Sequence, residues 1–346
     1  MLLSQLYATK NEISESTGDG LDYFREDVGL NTFNYNWILH WPSWMDRTAY
    51  NATNWYRTGE QFYYYHQQIL ASKSGIILGK GIGTGIGNPL TSLRDPAYYV
   101  VLDWITTFVQ EFKKHNLPPY TKEELSFDGI KIDEFTVNDT ETYFDYFVID
   151  ASKGLEPWKK GYKVRQKRLN HTPIQVRLNI TNSNDEDKGA LIRIFIGPFH
   201  HHSGITFDMS RQMFYELDRF PNTLKVGENI ITRNEDDFTS LVDDDLNDRS
   251  SHLSKLSGCG LPRRLAVPQG KKDGLVLLMY AMISPFPEFP ESLTWTTDAE
   301  VQRLCEQNMF LDNRAMGFPF DRLVTNHKHW SSDNHETTNI TIYHRD

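Results

Sequence analysis

The sequence lacks three features that would each have assigned it to a common class of protein. It has no apolar run near the ~20 residues that a membrane-spanning helix requires. It has no sustained basic run, and 46 acidic against 36 basic residues give a net charge of -10, so nucleic acid is not expected as the main partner. Its first residues have neither the basic start nor the apolar stretch of a secretory signal peptide. These absences fit a soluble protein whose molecules are kept apart by their own charge.

Recognisable catalytic motifs are absent as well. Neither the G-x-S-x-G of serine hydrolases nor the H-E-x-x-H of metalloproteases occurs. The glycine-rich run at residues 74–89 does not match a phosphate-binding loop and is interpreted as a flexible junction between two helices. The three histidines at 200–202 are expected at a loop tip, and the acidic runs at 235–237 and 243–245 lack the glycine and spacing of a calcium loop. Residue chemistry alone therefore nominates no enzyme.

Cysteine occurs only twice, at Cys259 and Cys305. The count is compatible with one disulfide and equally with two buried free thiols. The N-x-S/T acceptor pattern for glycosylation occurs five times, at Asn51, Asn138, Asn170, Asn179 and Asn339. Chance supplies one or two such sites in a chain rich in Asn and Thr, so five indicate a glycosylated secreted protein.

The first third of the chain reads as mainly helical. Asp95 and Pro96 form an N-cap and first-turn pair that predicts a helix to about residue 115, before a Leu-Pro-Pro stop. The apolar spacing predicts one buried stripe on this helix, made of Tyr98, Val101, Leu102, Ile105, Phe108, Val109 and Phe112. The helical region is expected to end between residues 117 and 127.

Beyond this boundary the period of the apolar residues changes from 3.6 to 2. Six segments show strand patterns, with the clearest alternation at Ile174, Val176, Leu178 and Ile180, which are expected to face inward. Many strands without intervening amphipathic helices predict an antiparallel β-sandwich.

Two ordered patterns carry a family resemblance. The first is formed by Tyr23, Phe24, Glu26, Asp27, Val28, Asn31 and Pro42. The second is formed by Thr91, Arg94, Asp95, Pro96, Tyr98 and Tyr99. Together with further similar segments between about residues 22 and 322, they resemble the signatures of the arthropod hemocyanin superfamily.

The resemblance implies a site where two copper ions would each be held by three histidines. The ligand positions of the first copper correspond to Asn34, Ile38 and His66, and a ligand position of the second corresponds to about Leu102. Imidazole is the ligand that suits copper, and neither Asn nor Ile replaces it. We therefore expect no copper centre, no metal or other cofactor and no catalytic residue, and interpret His66 as a hydrogen-bonded core residue.

Loss of copper in this family is typical of the hexamerins, the storage proteins of larval hemolymph. Aromatic residues make 13% of the chain and Met only 8 residues, which favours the aromatic-rich arylphorin group, an amino-acid reserve for metamorphosis. The resemblance implies secretion, glycosylation, assembly into homo- or hetero-hexamers and uptake by a receptor, and we expect Cys259 and Cys305 to be bonded. A hemolymph carrier of pigment, riboflavin or juvenile hormone is the alternative function, and a phenoloxidase-like enzyme is less favoured.

The fold expected from the resemblance is a multidomain α+β chain. Residues 1–118 correspond to part of an all-α, copper-type four-helix middle domain, and residues 119–346 to a C-terminal immunoglobulin-like antiparallel β-sandwich. The family's N-terminal domain and several middle-domain helices have no counterpart in the sequence, and the glycine-rich junction stands where helices are expected.

Overall fold

The computed structural model describes the chain in eight stretches: residues 22–40, 58–73, 92–150, 163–198, 210–242, 260–286, 314–323 and 332–345. Its helices are α1 (Asp22–Arg25), α2 (Val28–His40), α3 (Thr58–Lys73), α4 (Pro96–Asn116) and α5 (Lys122–Leu125). Its strands are β1 (Ile130–Val137), β2 (Thr140–Asp150), β3 (Lys163–His171), β4 (Gln175–Asn182), β5 (Lys188–Pro198), β6 (Tyr215–Leu224), β7 (Gly227–Asn234), β8 (Leu241–Val242), β9 (Leu261–Pro262), β10 (Leu275–Pro285) and β11 (His335–His344). Helices thus precede the sheets along the chain, as the sequence predicts.

Helix α4 begins and ends where its sequence signals lie. The Asp95 side chain accepts a hydrogen bond from the backbone N–H of Ala97 at 3.0 Å, and Pro96 occupies the first helical position, where no N–H is needed. Leu117 closes the helix in an extended conformation with its N–H on the carbonyl of Lys113. The proline that follows restricts Leu117 to that conformation.

Nine of the strands form two facing sheets, and β8 and β9 pair with each other in a separate two-stranded sheet. Of the two facing sheets, one has the order β1-β4-β7 and the other the order β3-β2-β11-β10-β5-β6. All neighbours within these two sheets pair antiparallel except β11 and β2, which run parallel over three residue pairs. The predicted sandwich, and with it the α+β fold class, is confirmed.

The core lies between the sheets and continues under the helices. Ile174, Val176, Leu178 and Ile180 are fully buried, as their alternation predicts. Each such side chain removed from water stabilises the fold by roughly 1.5–3 kcal/mol. Because these residues belong to one contiguous cluster with Leu30 of α2, the helices and the sandwich share a hydrophobic core.

The predicted buried stripe of α4 is wrong at three positions. Val101, Phe108 and Phe112 are exposed, whereas the buried residues of the helix are Tyr99, Leu102, Thr106 and Gln110. The inner side is set by tertiary partners: Tyr99 belongs to the hydrophobic core cluster, and the amide oxygen of Gln110 accepts a hydrogen bond from Arg211 at 3.0 Å.

No helix in the described stretches combines the length and the hydropathy that crossing a membrane would need.

Candidate functional site

Asn34, one of the predicted copper positions, lies on α2 and is completely buried. Its amide nitrogen donates to the hydroxyl of Ser92 at 3.1 Å, and its carbonyl oxygen accepts from the hydroxyl of Tyr65 at 3.0 Å. Burial raises the pKa of Tyr65 well above its usual value, so this phenol stays protonated and remains a donor. The amide therefore joins three separate parts of the chain by neutral hydrogen bonds.

His66 lies on α3 and is 4% exposed. Its Nδ1 donates to the carbonyl oxygen of Phe62 at 2.7 Å, which places the proton on that nitrogen. Burial lowers the pKa of His66 to about 4, although the bond to the Phe62 carbonyl acts in the opposite direction. The ring is consequently neutral at physiological pH.

Aromatic rings surround His66. Trp37 stacks on Tyr65 with centroids 4.1 Å apart and planes 12° from parallel, and both rings meet His66 edge to face. Phe62 lies 4.2 Å from the imidazole on a third side. This packing is that of an aromatic core, and among the described residues the buried indole nitrogen of Trp37 has no hydrogen-bond partner.

The two remaining positions that correspond to copper ligands hold alkyl side chains. Leu102 is buried on α4, and Ile38 packs partly buried against the core. In the described stretches, no three His, Cys, Asp or Glu side chains come together as metal ligands would. One imidazole, one amide with both its ends bonded and two alkyl groups do not fit a copper centre that uses three imidazoles for each ion.

The signature residues around this site hold the helices in place. The Asp27 carboxylate accepts from the N–H of Leu30 at 2.8 Å and so caps α2. Asn31 donates to the carbonyls of Arg25 and Asp27, both at 2.8 Å, which fixes the connection from α1 to α2.

A surface ion pair joins the two signatures. The guanidinium of Arg94 lies 3.4 Å from the carboxylate of Glu26. Tyr99 of the second signature donates to the carbonyl of Leu93 at 2.8 Å, which fixes the turn before α4. The motifs that reveal the family are therefore structural in this chain and independent of the ligand positions.

Two buried charge clusters fasten the helices to the sandwich. In the first, Asp27 contacts Arg264 and lies 3.5 Å from Arg168 of β3. In the second, the hydroxyl of Tyr64 on α3 donates to the carboxylate of Glu216 on β6, which also accepts from Arg219 at 2.7 Å. Sequence reasoning missed both clusters, because Asp27 and Tyr64 each lie more than a hundred residues from the sandwich residues that they contact.

Sequence reasoning also missed Tyr65, Trp37 and Ser92, which contact the side chains at the predicted copper positions. The segment 63–66 reads Tyr-Tyr-Tyr-His, so the aromatic signal was present without its partners. Only the fold shows which tyrosine bonds to Asn34 and which bonds to Glu216.

Four of the five glycosylation acceptors lie in described stretches. Asn339 is exposed on β11, and Asn138 is exposed with its amide donating to the carbonyls of Asp139 and Pro173. Asn170 and Asn179 are partly buried on β3 and β4. Attachment of glycan at any of these residues stays a prediction.

Several sequence predictions fall on residues outside the described stretches. These are the acceptor Asn51, the pair Cys259 and Cys305, the glycine-rich junction at 74–89, the histidines at 200–202 and the acidic run at 243–245.

A cleft of about 310 Å³ lies beside the sandwich and is lined by Lys131, Ile132, Tyr280, Ser332, Asp333, His335, Glu336 and Thr337. The lining is mainly polar, whereas sites for hydrophobic ligands are lined mainly by apolar side chains. The cleft does not favour a carrier of hydrophobic hormone.

Comparisons with known families match both parts of the chain. The family described as "Hemocyanin, ig-like domain" matches residues 119–344, and "Hemocyanin, copper containing domain" matches residues 3–72.

Curated relatives come from several insects. Arylphorin subunit alpha of Manduca sexta is 32% identical over 275 residues, which cover 73% of this chain and 37% of that protein. Hexamerin of Blaberus discoidalis is 30% identical over 311 residues, with 82% and 42% covered. Phenoloxidase 1 of Holotrichia diomphalia is 30% identical over 267 residues, with 70% and 39% covered. The chain thus spans about two fifths of the length of these relatives.

Solved structures support the same fold. A scorpion hemocyanin in its activated state superposes with a TM-score of 0.79 at 20% identity, covering 99% of this chain and 80% of that one. The matched domains, the relatives named arylphorin and hexamerin and this superposition agree with one another, and the chain belongs to the hemocyanin family.

Proposed function

We propose that this chain is a copper-free storage protein of the hexamerin type and not an enzyme. The observation that carries the proposal is the arrangement of Asn34 and His66. Of the expected ligand set only His66 is an imidazole, and the Asn34 amide has both of its ends in hydrogen bonds inside an aromatic core. Chemistry that needs several imidazoles around each copper has no ligands at these positions.

The composition supports a nutritional role. Aromatic residues make 13% of the chain, and relatives include proteins named arylphorin. A storage function depends on abundance and digestibility and needs no active site. In this role the protein is digested to supply amino acids, among which the aromatic ones are enriched.

The storage proposal includes the protein's location and assembly. It is secreted into hemolymph, carries glycan, contains a disulfide between Cys259 and Cys305, forms hexamers and is taken up through a receptor. Relatives named hexamerin support the assembly. The net charge of -10 suits a protein that accumulates at high concentration without aggregating.

A phenoloxidase-like activity is the competing function, because one relative is named Phenoloxidase 1. It would require copper held by imidazoles where this chain has Ile38 and Leu102. The side chains therefore favour storage over oxidation of phenols.

A copper-loading assay distinguishes the two functions. The purified full chain is incubated with excess copper, dialysed and analysed for bound metal by mass spectrometry and for diphenol oxidation, with an active phenoloxidase as positive control. We expect substoichiometric copper and no oxidation above the metal-only blank. Two copper ions per chain, accompanied by diphenol oxidation, would overturn the storage proposal.

A further inference from the structure

His171, at the end of β3, is buried with both of its ring nitrogens close to oxygen atoms. Its Nδ1 lies 2.9 Å from the carbonyl oxygen of Thr172, and its Nε2 lies 3.1 Å from the carbonyl oxygen of Arg263 and 3.2 Å from the carboxylate of Glu235. A neutral imidazole carries a single N–H, so on one side it would turn a lone pair toward an oxygen that can only accept. The imidazolium form gives both nitrogens a proton to donate.

The Glu235 carboxylate depends on the same proton. It is buried, and its Oε2 accepts the backbone N–H of Ile174 at 3.0 Å, which favours the ionised form of the carboxyl group. Its Oε1 accepts no hydrogen bond among the described residues, because the Nε2–H of His171 is directed at the neighbouring carbonyl. The positive charge of the ring therefore compensates this carboxylate, and a buried carboxylate that loses its counter-charge is strongly destabilising.

The other charges near this pair have partners of their own. Arg263 lies 2.7 Å from Asp236, and Arg168 and Arg264 both lie beside Asp27. The charged and titratable groups that β2, β3, β6 and the turns at 235–237 and 263–265 bring to this region are Glu141, Arg168, Tyr215, Glu235, Asp236, Arg263 and Arg264. The carboxylate beside the imidazole is thus the one that its charge serves.

The environment favours the protonated ring on balance. Burial by itself lowers the pKa of His171, but the Glu235 carboxylate and the two carbonyl oxygens raise it, and the result lies above the ordinary 6.5. A raised pKa means that the contribution to stability is fully present below pH 6.5 and is lost as the pH rises through the pKa of the folded state. This sign is opposite to that of His66, whose pKa is lowered.

The ring bonds to a turn that also anchors the helices. Arg263 begins the one-turn helix Arg263–Leu265, and the next residue, Arg264, contacts Asp27 immediately before α2. One bond of His171 therefore separates the sheet that contains β3 from the turn that fastens α2 to the sandwich.

We propose that His171 is a pH-sensitive switch for the attachment of the helices to the sandwich. With a proton on Nε2, the ring holds the carbonyl of Arg263, and the turn keeps Arg264 against Asp27. When that proton is lost to alkaline solvent, a lone pair faces the carbonyl and the Glu235 carboxylate is left uncompensated, so the turn is released. The attachment is firmest in mildly acidic medium and loosens as the pH rises above 6.5.

The first test is urea unfolding of the full chain between pH 6 and pH 9. His171→Gln keeps a side-chain donor that does not titrate, and His115→Gln is the matched control, since the His115 side chain is 73% exposed on α4. We expect the unmodified chain to be more stable than His171→Gln at pH 6 and the gap to close toward pH 9, with the control following the unmodified chain. A gap of equal size at every pH would assign His171 a purely structural role and overturn the proposal.

The second test needs no substitution of His171 itself. Imidazole resonances of the full chain, labelled with carbon-13 histidine, are followed by nuclear magnetic resonance against pH in the unmodified chain and in Glu235→Gln. We expect one buried histidine to titrate above pH 6.5 and its midpoint to fall in the variant, because the carboxylate that favours the proton is gone. Titration of every histidine at the same pH in both proteins would overturn the proposal.

Hydrogen exchange locates the loosening. In the unmodified chain, raising the pH from 6 to 9 should speed exchange at residues 22–40 and 263–265 relative to the same residues of His171→Gln, while β4 exchanges equally in the two proteins. Equal exchange at the helices in both proteins would contradict a switch at their attachment. These outcomes leave the storage function untouched, because the copper assay tests it separately.

Discussion

The polar groups buried among the helices differ in kind from those buried between the helices and the sandwich. Around Asn34 and His66 they are neutral and make single hydrogen bonds within an aromatic core. At the contact with the sandwich they are charged, as in Asp27 with Arg264 and Glu216 with Arg219. Substitutions around Asn34 and His66 can therefore leave the buried charges undisturbed, whereas substitutions at the contact with the sandwich cannot.

The difference in energy follows from the cost of unpaired groups. A neutral hydrogen bond contributes about 0.5–1.5 kcal/mol net, so exchanging its partners changes stability little. Removing one member of a buried ion pair leaves the other charge without compensation and costs about 3–5 kcal/mol. Variants at the buried ion pairs should therefore lose more free energy of unfolding than variants at the neutral hydrogen bonds.

The largest effect is expected for Asp27→Asn. The substitution keeps the size of the side chain and leaves Arg264 and Arg168 buried without their carboxylate. We expect the free energy of unfolding to fall by about 3–5 kcal/mol, measured by urea denaturation at pH 7. A loss below about 1 kcal/mol would show that the two kinds of site do not differ as proposed.

The second largest loss of stability is expected from lowering the pH, which acts on the buried neutral imidazole of His66. The pKa of His66 is about 4 in the fold against an ordinary 6.5, so the unfolded chain binds more protons between these values and stability falls as the pH drops through them. The loss amounts to about 3 kcal/mol by pH 4. His66→Leu should remove this part of the pH dependence, seen by comparing urea unfolding at pH 7 and pH 4. Equal pH dependence in both proteins would contradict the assignment of a neutral buried imidazole.

A smaller loss is expected for Tyr64→Phe, which removes one donor from the Glu216 carboxylate. Hydrogen bonds to charged groups contribute about 1.5–3 kcal/mol, so thermal unfolding should report a loss of about 2 kcal/mol. Tyr63→Phe is a close control, because the Tyr63 hydroxyl is buried without a hydrogen-bond partner in the described stretches. It should leave stability unchanged or raise it, and equal losses in both variants would argue against a specific role for Tyr64.

The smallest effect is expected for Glu26→Gln. The ion pair with Arg94 spans 3.4 Å, and the Glu26 side chain is 45% exposed. Water screens such pairs, so the loss should remain below about 1 kcal/mol and shrink further in high salt. A loss of stability as large as that of Asp27→Asn would mean that solvent exposure does not make the Glu26 carboxylate less important than that of Asp27.

The sandwich was largely predictable because apolar and polar residues alternate along its strands, a pattern that is visible in the local sequence. Ile174 to Ile180 alternate with polar residues, and the structure buries them as expected. Strand β6 was missed since its buried positions include Glu216, Asp218 and Arg219, which no local pattern marks as interior. Their burial depends on partners such as Arg233, which lies 2.9 Å from Asp218 and arrives from another strand.

Helix α4 shows a second limit of local patterns. Apolar spacing identified a stripe, but a helix with two apolar sides does not reveal from its own sequence which side faces the core. The inner side is recognised by partners distant in sequence, such as Arg211, which bonds to Gln110 from a hundred residues further along the chain. At the former ligand positions, sequence indicated which imidazoles were missing, and only the structure shows what the replacing side chains bond to.

The bonds of Asn34 also determine what a single substitution toward a metal ligand would do. A histidine at that position would give up the contact with Ser92 or with Tyr65, because an imidazole cannot donate and accept in the same directions as the amide. The substitution would therefore cost stability before it could contribute to binding a metal.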